Sequence, residues 1–185
     1  MKLNLGCGSN IIKGYINLDK FDYYKPDVVH DLEKFPYPFE DNSVEEILLH
    51  HVMEHIGQNP DIFNKIIKEL YRICKNNSEI YIKVPHPRSD DFISDPTHVR
   101  PITQLGLALY DRDLNLEWEK NKKANTPLAL IHNVNFKIKK INYGLEDNYL
   151  NQLKNKTMTE KDVYDSLVKY NNVAKEIHFV WQVVK

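Results

Sequence analysis

The chain has 185 residues, of which 42% are hydrophobic and 28% charged, a length and balance that predict one globular domain over residues 1–185. Its formal net charge of −1 gives no indication of nucleic acid or of an anionic membrane as a partner, although it leaves a local basic patch possible. No apolar run approaches the roughly 20 residues of a membrane-spanning helix, and Cys7 and Cys74 are too few for a disulfide scaffold, so we expect a cytoplasmic protein.

The first half of the chain predicts a series of short strands and one helix. Apolar runs indicate strands at Leu3–Leu5, Tyr15–Asp19, Val28–Asp31, Val44–Leu49 and Ile80–Val84. Between the last two strands, apolar residues recur at helical spacing: Ile62, Phe63, Ile66, Ile67, Leu70, Tyr71 and Cys74. Pro60 suits the first turn of this helix, and Asn76-Asn77 is expected to end it.

The last third of the chain has a different pattern. Phe136–Tyr143 and Ile177–Val184 are strand-like, and such a terminal pair would add to the sheet edge as an antiparallel hairpin. The connection between them, residues 145–175, is long, charged and compatible with helices, so we expect a helical insertion there. The alternation of strands with helices predicts an α/β fold in which ligands bind outside the carboxyl ends of the strands.

A glycine pair, Gly6 and Gly8, follows the first strand directly. Because glycine has no Cβ, a ligand can approach this backbone closely. The fingerprint of NAD-binding proteins requires a third glycine where this chain has Ile11, and an acidic residue about 20 residues further on. Asp19 follows Gly8 too closely to leave room for a full crossover helix. A dinucleotide is therefore disfavoured as the ligand.

Acidic residues also end the next two predicted strands. The carboxylate of Asp19 could accept hydrogen bonds from both hydroxyls of a ribose. After the third strand, Asp31 could accept from the amino group of an adenine, and the amide of Leu32 could donate to a ring nitrogen. These groups are suited to an adenosine-containing cofactor.

These motifs, in this order and spacing, resemble the class I S-adenosylmethionine (SAM)-dependent methyltransferases. The resemblance covers roughly the first half of the chain and rests on Leu5-Gly6-Cys7-Gly8, Asn17-Leu18-Asp19, Asp31-Leu32, Pro36-Tyr37-Pro38-Phe39, Asp41-Asn42-Ser43, Glu45-Glu46-Ile47 and Val52-Met53-Glu54-His55-Ile56. It implies a Rossmann-like α/β fold, with a mostly parallel sheet, helices on both faces and an antiparallel C-terminal edge strand.

The resemblance implies SAM as the cofactor and assigns residues to its binding. These residues are Leu5, Gly6, Cys7, Gly8, Asp19, Asp31, Leu32 and His50, the last of them beside the methionine portion. The chain departs from the family where the acidic residue before the glycine motif is replaced by Asn4 or Leu5. This replacement weakens a contact that is expected for the methionine amine.

Methyl transfer from a sulfonium is an in-line displacement, so alignment of the acceptor with the methyl carbon supplies much of the acceleration. An alcohol or phenol acceptor must also lose its proton, and histidine is the natural base near neutral pH. We expect His98 to be that base, Arg100 to anchor an anionic acceptor, and His55 to be a further catalytic candidate. The stretch Asp95-Pro96-Thr97-His98 is similar to one found in some small methyltransferases of this type.

The sequence shows no basic stripe, aromatic cage or RNA-binding module, so the expected acceptor is a small molecule or a glycan precursor, methylated at oxygen. We expect neither nucleic acid nor a membrane as a partner, and no metal at the site. The sequence leaves open whether the protein forms a homodimer. Residues 145–175 would form either a lid that becomes ordered when the cofactor binds or a static helical pair.

Two other functions fit parts of the sequence. His51-Val52-Met53-Glu54-His55 matches H-x-x-E-H, in which two histidines on one helix bind zinc and the glutamate is the base of a hydrolase. The short first helix and the missing acidic residue would instead fit a scaffold or regulatory subunit of the same fold that has lost turnover.

Overall fold

The computed structural model describes residues 1–185, in which all strands belong to one seven-stranded sheet. The strands are β1 (Lys2–Leu5), β2 (Ile16–Asp19), β3 (Val28–Val29), β4 (Val44–His50), β5 (Cys74–Pro85), β6 (Phe136–Leu145) and β7 (Ala174–Val183). Their order is β3-β2-β1-β4-β5-β7-β6; the pairs among β1 to β5 are parallel, and β7 runs antiparallel to both β5 and β6. The predicted mostly parallel sheet with an antiparallel C-terminal pair is confirmed. Within that pair β7 lies inside and β6 forms the edge.

The helices are unevenly spread along the chain. They are α1 (Pro60–Ile73), α2 (Asp90–Ser94), α3 (Gln104–Ala108), α4 (Arg112–Lys120), α5 (Leu128–His132), α6 (Asp147–Lys154) and α7 (Glu160–Lys169), with a 3-10 helix at Asp22–Tyr24. In α1 the Asn59 side chain accepts from the amide of Asp61, and Pro60 occupies the first turn. Helices α6 and α7 lie in the connection for which helices were expected. None is long and apolar enough to cross a membrane.

The end of α1 differs from the sequence prediction. Asn76-Asn77 was expected to end the helix, with Cys74 inside it, but α1 ends at Ile73 and β5 begins at Cys74. Asn77 has a φ of 65° and lies where β5 carries extra residues relative to β4. Because asparagine tolerates the left-handed conformation, this pair forms a bulge in the strand rather than a helix stop. The third strand is also shorter than predicted, which leaves Asp31 in the following turn.

The two faces of the sheet differ in burial. One face supplies apolar side chains to the core, where the rings of Phe136 and Trp181 stack 3.9 Å apart and Tyr110 meets Trp181 edge-on. Tyr110, in the turn after α3, also donates a hydrogen bond to Asn64 of α1 and so joins this turn to α1. The opposite face carries polar side chains that are partly exposed, as at Lys83. Helix α1 contributes buried side chains to the core, and the predicted fold of a mostly parallel sheet with helices around it is confirmed. The short connections that follow β1 and β2 contain no α-helix.

Candidate active site

A cavity of about 800 Å³, here called the large cavity, opens at the carboxyl ends of the strands. Its walls include the predicted residues Gly6, Gly8, Asp19, Asp31, Leu32 and His55. The structure therefore brings together the ends of β1, β2 and β3 with the turn after β4, as the order of motifs along the chain predicts.

The two glycines of the first turn differ in what a side chain would meet. Gly6 has a φ of 66°, and a Cβ added there would lie 2.6 Å from Cγ2 of Val52, so this position requires glycine for packing. Gly8 has a φ of 50°, and a Cβ there would have no atom within 4 Å. Because Gly8 lines the large cavity, the open space beside it is available to a ligand bound in that cavity.

Asp19 links the glycine turn to the end of β2. Its Oδ2 accepts from the amide of Gly8 at 2.9 Å, and its Oδ1 accepts from the amide of Phe21 at 3.0 Å. These bonds fix the carboxylate and leave one further acceptor position on each oxygen. A vicinal diol, such as that of a ribose, matches this arrangement.

The turn after β3 presents an acceptor and a donor. Asp31 uses Oδ1 to accept from the amide of Glu33 at 2.9 Å, which leaves Oδ2 without a protein donor. The amide of Leu32 donates to no protein acceptor. One free acceptor beside one free backbone donor suits the amino group and ring nitrogen of an adenine.

Three of the residues assigned to the cofactor do not line this cavity. Leu5 is buried in the apolar core, and Cys7 is buried with its amide bonded to the carbonyl of Leu18. Burial raises the pKa of the Cys7 thiol, which keeps it protonated. His50, the last residue of β4, is half-buried, and its burial and the nearby Lys83 lower the pKa of its imidazole.

Asn4, which stands near the position of the missing acidic residue, is a structural residue. It is buried, and its amide donates to Asn17 at 2.9 Å and to the carbonyl of Asn10 at 2.7 Å. Both bonds hold the β1–β2 connection, and Asn4 does not line the large cavity. It is therefore not placed to replace the acidic residue.

Sequence reasoning missed an aromatic wall of the large cavity. Phe21, Tyr23 and Tyr24 line it although each is exposed, with Tyr23 at 82%. They follow Asp19 directly, in a run that includes the 3-10 helix. The signal available in the sequence was the three aromatic residues that closely follow Asp19 at a strand end, because such rings can stack on a planar base.

A second cavity of about 310 Å³, here called the polar cavity, adjoins the large one. No hydrophobic residue lines it other than Pro85, and its walls are His51, Glu54, His55, Pro85, Asp91, Asp95, His98, Lys175 and Glu176. His51 and His55 line both cavities, so they form the partition between them. The predicted catalytic residues His55 and His98 are thus brought together, with ring centroids 4.7 Å apart.

Both rings are held through Nδ1. The Thr97 hydroxyl donates to Asp95 at 2.6 Å and therefore accepts from Nδ1 of His55, at 2.9 Å. Nδ1 of His98 donates to the carbonyl oxygen of Phe92 at 2.8 Å. These bonds leave Nε2 of each ring with its lone pair. The same Thr97 bonds lower the pKa of Asp95, which stays ionised.

Glu54 lies buried between the histidines. His51 Nδ1 approaches Glu54 Oε1 at 3.3 Å and His51 Nε2 approaches Glu176 Oε1 at 3.2 Å. The main cause that raises the pKa of His51 is its contact with Glu54. The geometry of this contact is not that of a hydrogen bond. Burial opposes ionisation of Glu176, but its bonds with Lys83 and His178 outweigh that effect and lower its pKa.

Arg100 is placed apart from both cavities. Its guanidinium donates to the carbonyl of Gly57 at 2.6 Å and lies 4.2 Å from the ring centre of Phe63. It lines a separate cavity of about 230 Å³ on the side of α1. The geometry therefore gives Arg100 a packing role and does not bring it to the expected acceptor.

The H-x-x-E-H interpretation does not fit the backbone. Residues 51–56 form turns rather than a helix, and His51 has a φ of 55°. Two histidines four residues apart share one metal when a helix places them on the same face. Without that helix, the hydrolase site predicted from this motif is not formed.

Comparisons with known proteins agree with the fold and the large cavity. A family model described as "Methyltransferase domain" matches residues 7–82, and no curated protein matches the chain. A SAM-dependent methyltransferase from Archaeoglobus fulgidus is 20% identical with a TM-score of 0.59, over 98% of this chain and 85% of that one. One from Methanosarcina mazei is 13% identical with a TM-score of 0.56, over 99% and 92%.

A third solved structure shares the fold and has a partner. It is a methyltransferase in a complex with a methyltransferase activator from Haloferax volcanii, 13% identical with a TM-score of 0.53, over 100% of this chain and 82% of that one. The predicted resemblance is confirmed: residues 7–82 match the methyltransferase domain family, and the chain has the class I fold. The cofactor that this family implies is SAM, and the free groups of Asp19, Asp31 and Leu32 fit its adenosine.

Proposed function

We propose that this chain, which has the class I fold and matches a methyltransferase domain over residues 7–82, transfers the methyl group of SAM to a hydroxyl oxygen of a small molecule or glycan precursor. The large cavity would hold the cofactor and the polar cavity the acceptor. The observation that carries the proposal is the shared partition: His51 and His55 line both cavities. A methyl group at this boundary would face an acceptor on its other side, as in-line transfer requires.

The walls of the polar cavity favour an acceptor rich in hydroxyl groups. Carboxylates at Glu54, Asp91, Asp95 and Glu176 outnumber its single lysine, Lys175. Such a lining accepts hydrogen bonds from hydroxyls and repels an anion. We therefore replace the anionic acceptor expected from Arg100 by a neutral polyol or sugar derivative.

The chemistry that the cofactor supplies is a methyl group on a positively charged sulfur. The S–CH₃ bond breaks as the O–CH₃ bond forms, which leaves a neutral thioether. The hydroxyl proton would be lost at the pair formed by His55 and His98, whose Nε2 atoms keep their lone pairs. Asp95, held by Thr97, would stabilise positive charge at this pair.

A methylation screen with radiolabelled SAM over alcohols, phenols, sugars and amines tests this function. We expect incorporation into a hydroxyl compound by the wild-type protein and much less by Asp19→Ala at subsaturating SAM. Calorimetry with S-adenosylhomocysteine separates the alternatives: binding without any turnover would favour the scaffold, and absence of binding would refute the cofactor assignment. Incorporation confined to amines would refute the oxygen acceptor.

A further inference from the structure

The carboxylate of Glu54 is the least satisfied charged group among the residues of the polar cavity. The residue is 0% exposed, and neither of its oxygens has a hydrogen-bond donor. His51, the basic side chain in contact with it, lies beside one oxygen only. A buried carboxylate is stable only when a positive charge or a proton compensates it. Glu54 therefore requires a partner that the surrounding side chains do not supply in full.

Two imidazoles stand beside this carboxylate. Glu54, His55 and His98 each offer one possible ligand atom, and these three atoms lie within 4.8 Å of one another. Each ring uses Nδ1 for a hydrogen bond, His55 with Thr97 and His98 with the carbonyl of Phe92, so Nε2 remains available as a ligand. Histidines that bind metals are oriented by such a bond from their second nitrogen.

We propose that Glu54, His55 and His98 bind one divalent transition-metal ion at the boundary between the two cavities. Two imidazoles and one carboxylate are a ligand set of zinc and of other first-row divalent ions, whereas magnesium prefers oxygen ligands. The site differs from the H-x-x-E-H motif because Glu54 is a ligand rather than a base and His98 comes from a distant loop. The proposal departs from our expectation that no metal takes part.

The task of the ion, unlike its binding, rests on the proposed function. A divalent cation lowers the pKa of a hydroxyl that it coordinates. The acceptor O–H bond would break with its proton passing to water in the polar cavity, and the oxygen would then attack the methyl carbon. In that arrangement Nε2 of each histidine holds the ion and does not itself take the proton, so the ion replaces the direct proton loss to His55 and His98.

Equilibrium dialysis of chelator-treated protein against zinc chloride tests the site. We expect about one zinc per wild-type chain and no comparable binding of magnesium. His55 is exposed, so His55→Ala should fold, and it should lose more than the roughly 10–100-fold in zinc affinity that removal of an outer hydrogen-bond partner costs. Thr97→Val, which removes that outer partner of His55, should fall within this range. His132→Ala, on α5 outside the cluster, is the control and should bind like the wild type.

Two results would overturn the metal site: absence of stoichiometric zinc in the wild type, or zinc binding unchanged in both His55→Ala and Glu54→Gln. Calorimetry with S-adenosylhomocysteine on the same samples keeps the two proposals apart. Cofactor binding without zinc binding removes only the metal site. Zinc binding without cofactor binding removes the proposed function and retains the site.

Discussion

The large and the polar cavity share a wall but are assembled from different parts of the chain. The large cavity is built mainly from the ends of β1, β2 and β3 and from the turn after β4. The polar cavity joins that same turn to residues 85–98 and to the start of β7. The large cavity thus draws mostly on residues 6–58, with Thr97 and Val99 added, while the polar cavity depends more heavily on the packing of distant segments.

The match to the family model covers most of the lining of the large cavity but only part of the lining of the polar cavity. The match ends at residue 82, before the segments that complete the polar cavity. Under the proposed function, cofactor binding and acceptor choice would therefore depend largely on different parts of one chain. Substitutions confined to one cavity should change its own ligand and leave the other ligand's affinity close to that of the wild type.

The largest separation is expected for His98→Ala. The ring belongs to the polar cavity, and its loss should lower turnover roughly 10²–10⁴-fold while the affinity for S-adenosylhomocysteine stays nearly constant. Turnover on the acceptor found in the screen and calorimetry with S-adenosylhomocysteine measure the two effects. His86→Ala, on the same loop but outside both cavities, is the control. An equal loss of cofactor affinity would show that His98 supports the fold of both cavities.

Gly8→Val should give the opposite pattern by abolishing cofactor binding. The added side chain would project into the large cavity, and the left-handed backbone adds strain of about 1–3 kcal/mol. Gly14→Val provides a matched comparison, because Gly14 has a φ of 89° and equally open surroundings but does not line the cavity. If folded Gly8→Val binds S-adenosylhomocysteine with normal affinity, the glycine pair is only a turn and has no part in cofactor binding.

Asp19→Ala should weaken cofactor binding by a smaller amount, about 1.5–3 kcal/mol for hydrogen bonds to a charged group. Its carboxylate would contact the ribose and also fixes the amide of Gly8. Titration calorimetry with S-adenosylhomocysteine measures the loss, and Asp22→Ala, exposed on the 3-10 helix, is the control. Unchanged affinity in the folded variant would contradict the assignment of Asp19 to the ribose.

Arg100→Ala should affect stability rather than either ligand. Loss of its bond to Gly57 should lower the free energy of unfolding by about 1.5–3 kcal/mol, with packing on Phe63 adding to this. Denaturant unfolding of this variant and of Arg112→Ala, a surface control, measures the effect. Reduced turnover with unchanged stability would instead support the acceptor anchor that the sequence suggested.

The sequence predicted the large cavity better than the polar one for a physical reason. The glycine turn, Asp19 and Asp31 follow successive strands, and the topology of a parallel sheet brings such ends together. Contacts of the polar cavity, such as Glu54 with His98, depend on how residues 86–101 pack. Arg100 illustrates the limit: its neighbour in sequence, Val99, lines the large cavity, while its own side chain turns towards α1.

The smallest expected effect concerns the insertion that contains α6 and α7. No residue of either helix lines the large or the polar cavity, so ligand contact cannot order them directly. Two hydrogen bonds connect the insertion to the loop after β5. The Arg88 guanidinium donates to the carbonyl oxygen of Val168, and the amide of Asn172 donates to the carbonyl oxygen of Arg88 at 3.0 Å. Hydrogen exchange with and without S-adenosylhomocysteine should therefore show protection at residues 6–8 and little change over residues 147–169. Strong protection of α6 and α7 would mean that they close over the site through this loop, as a lid does.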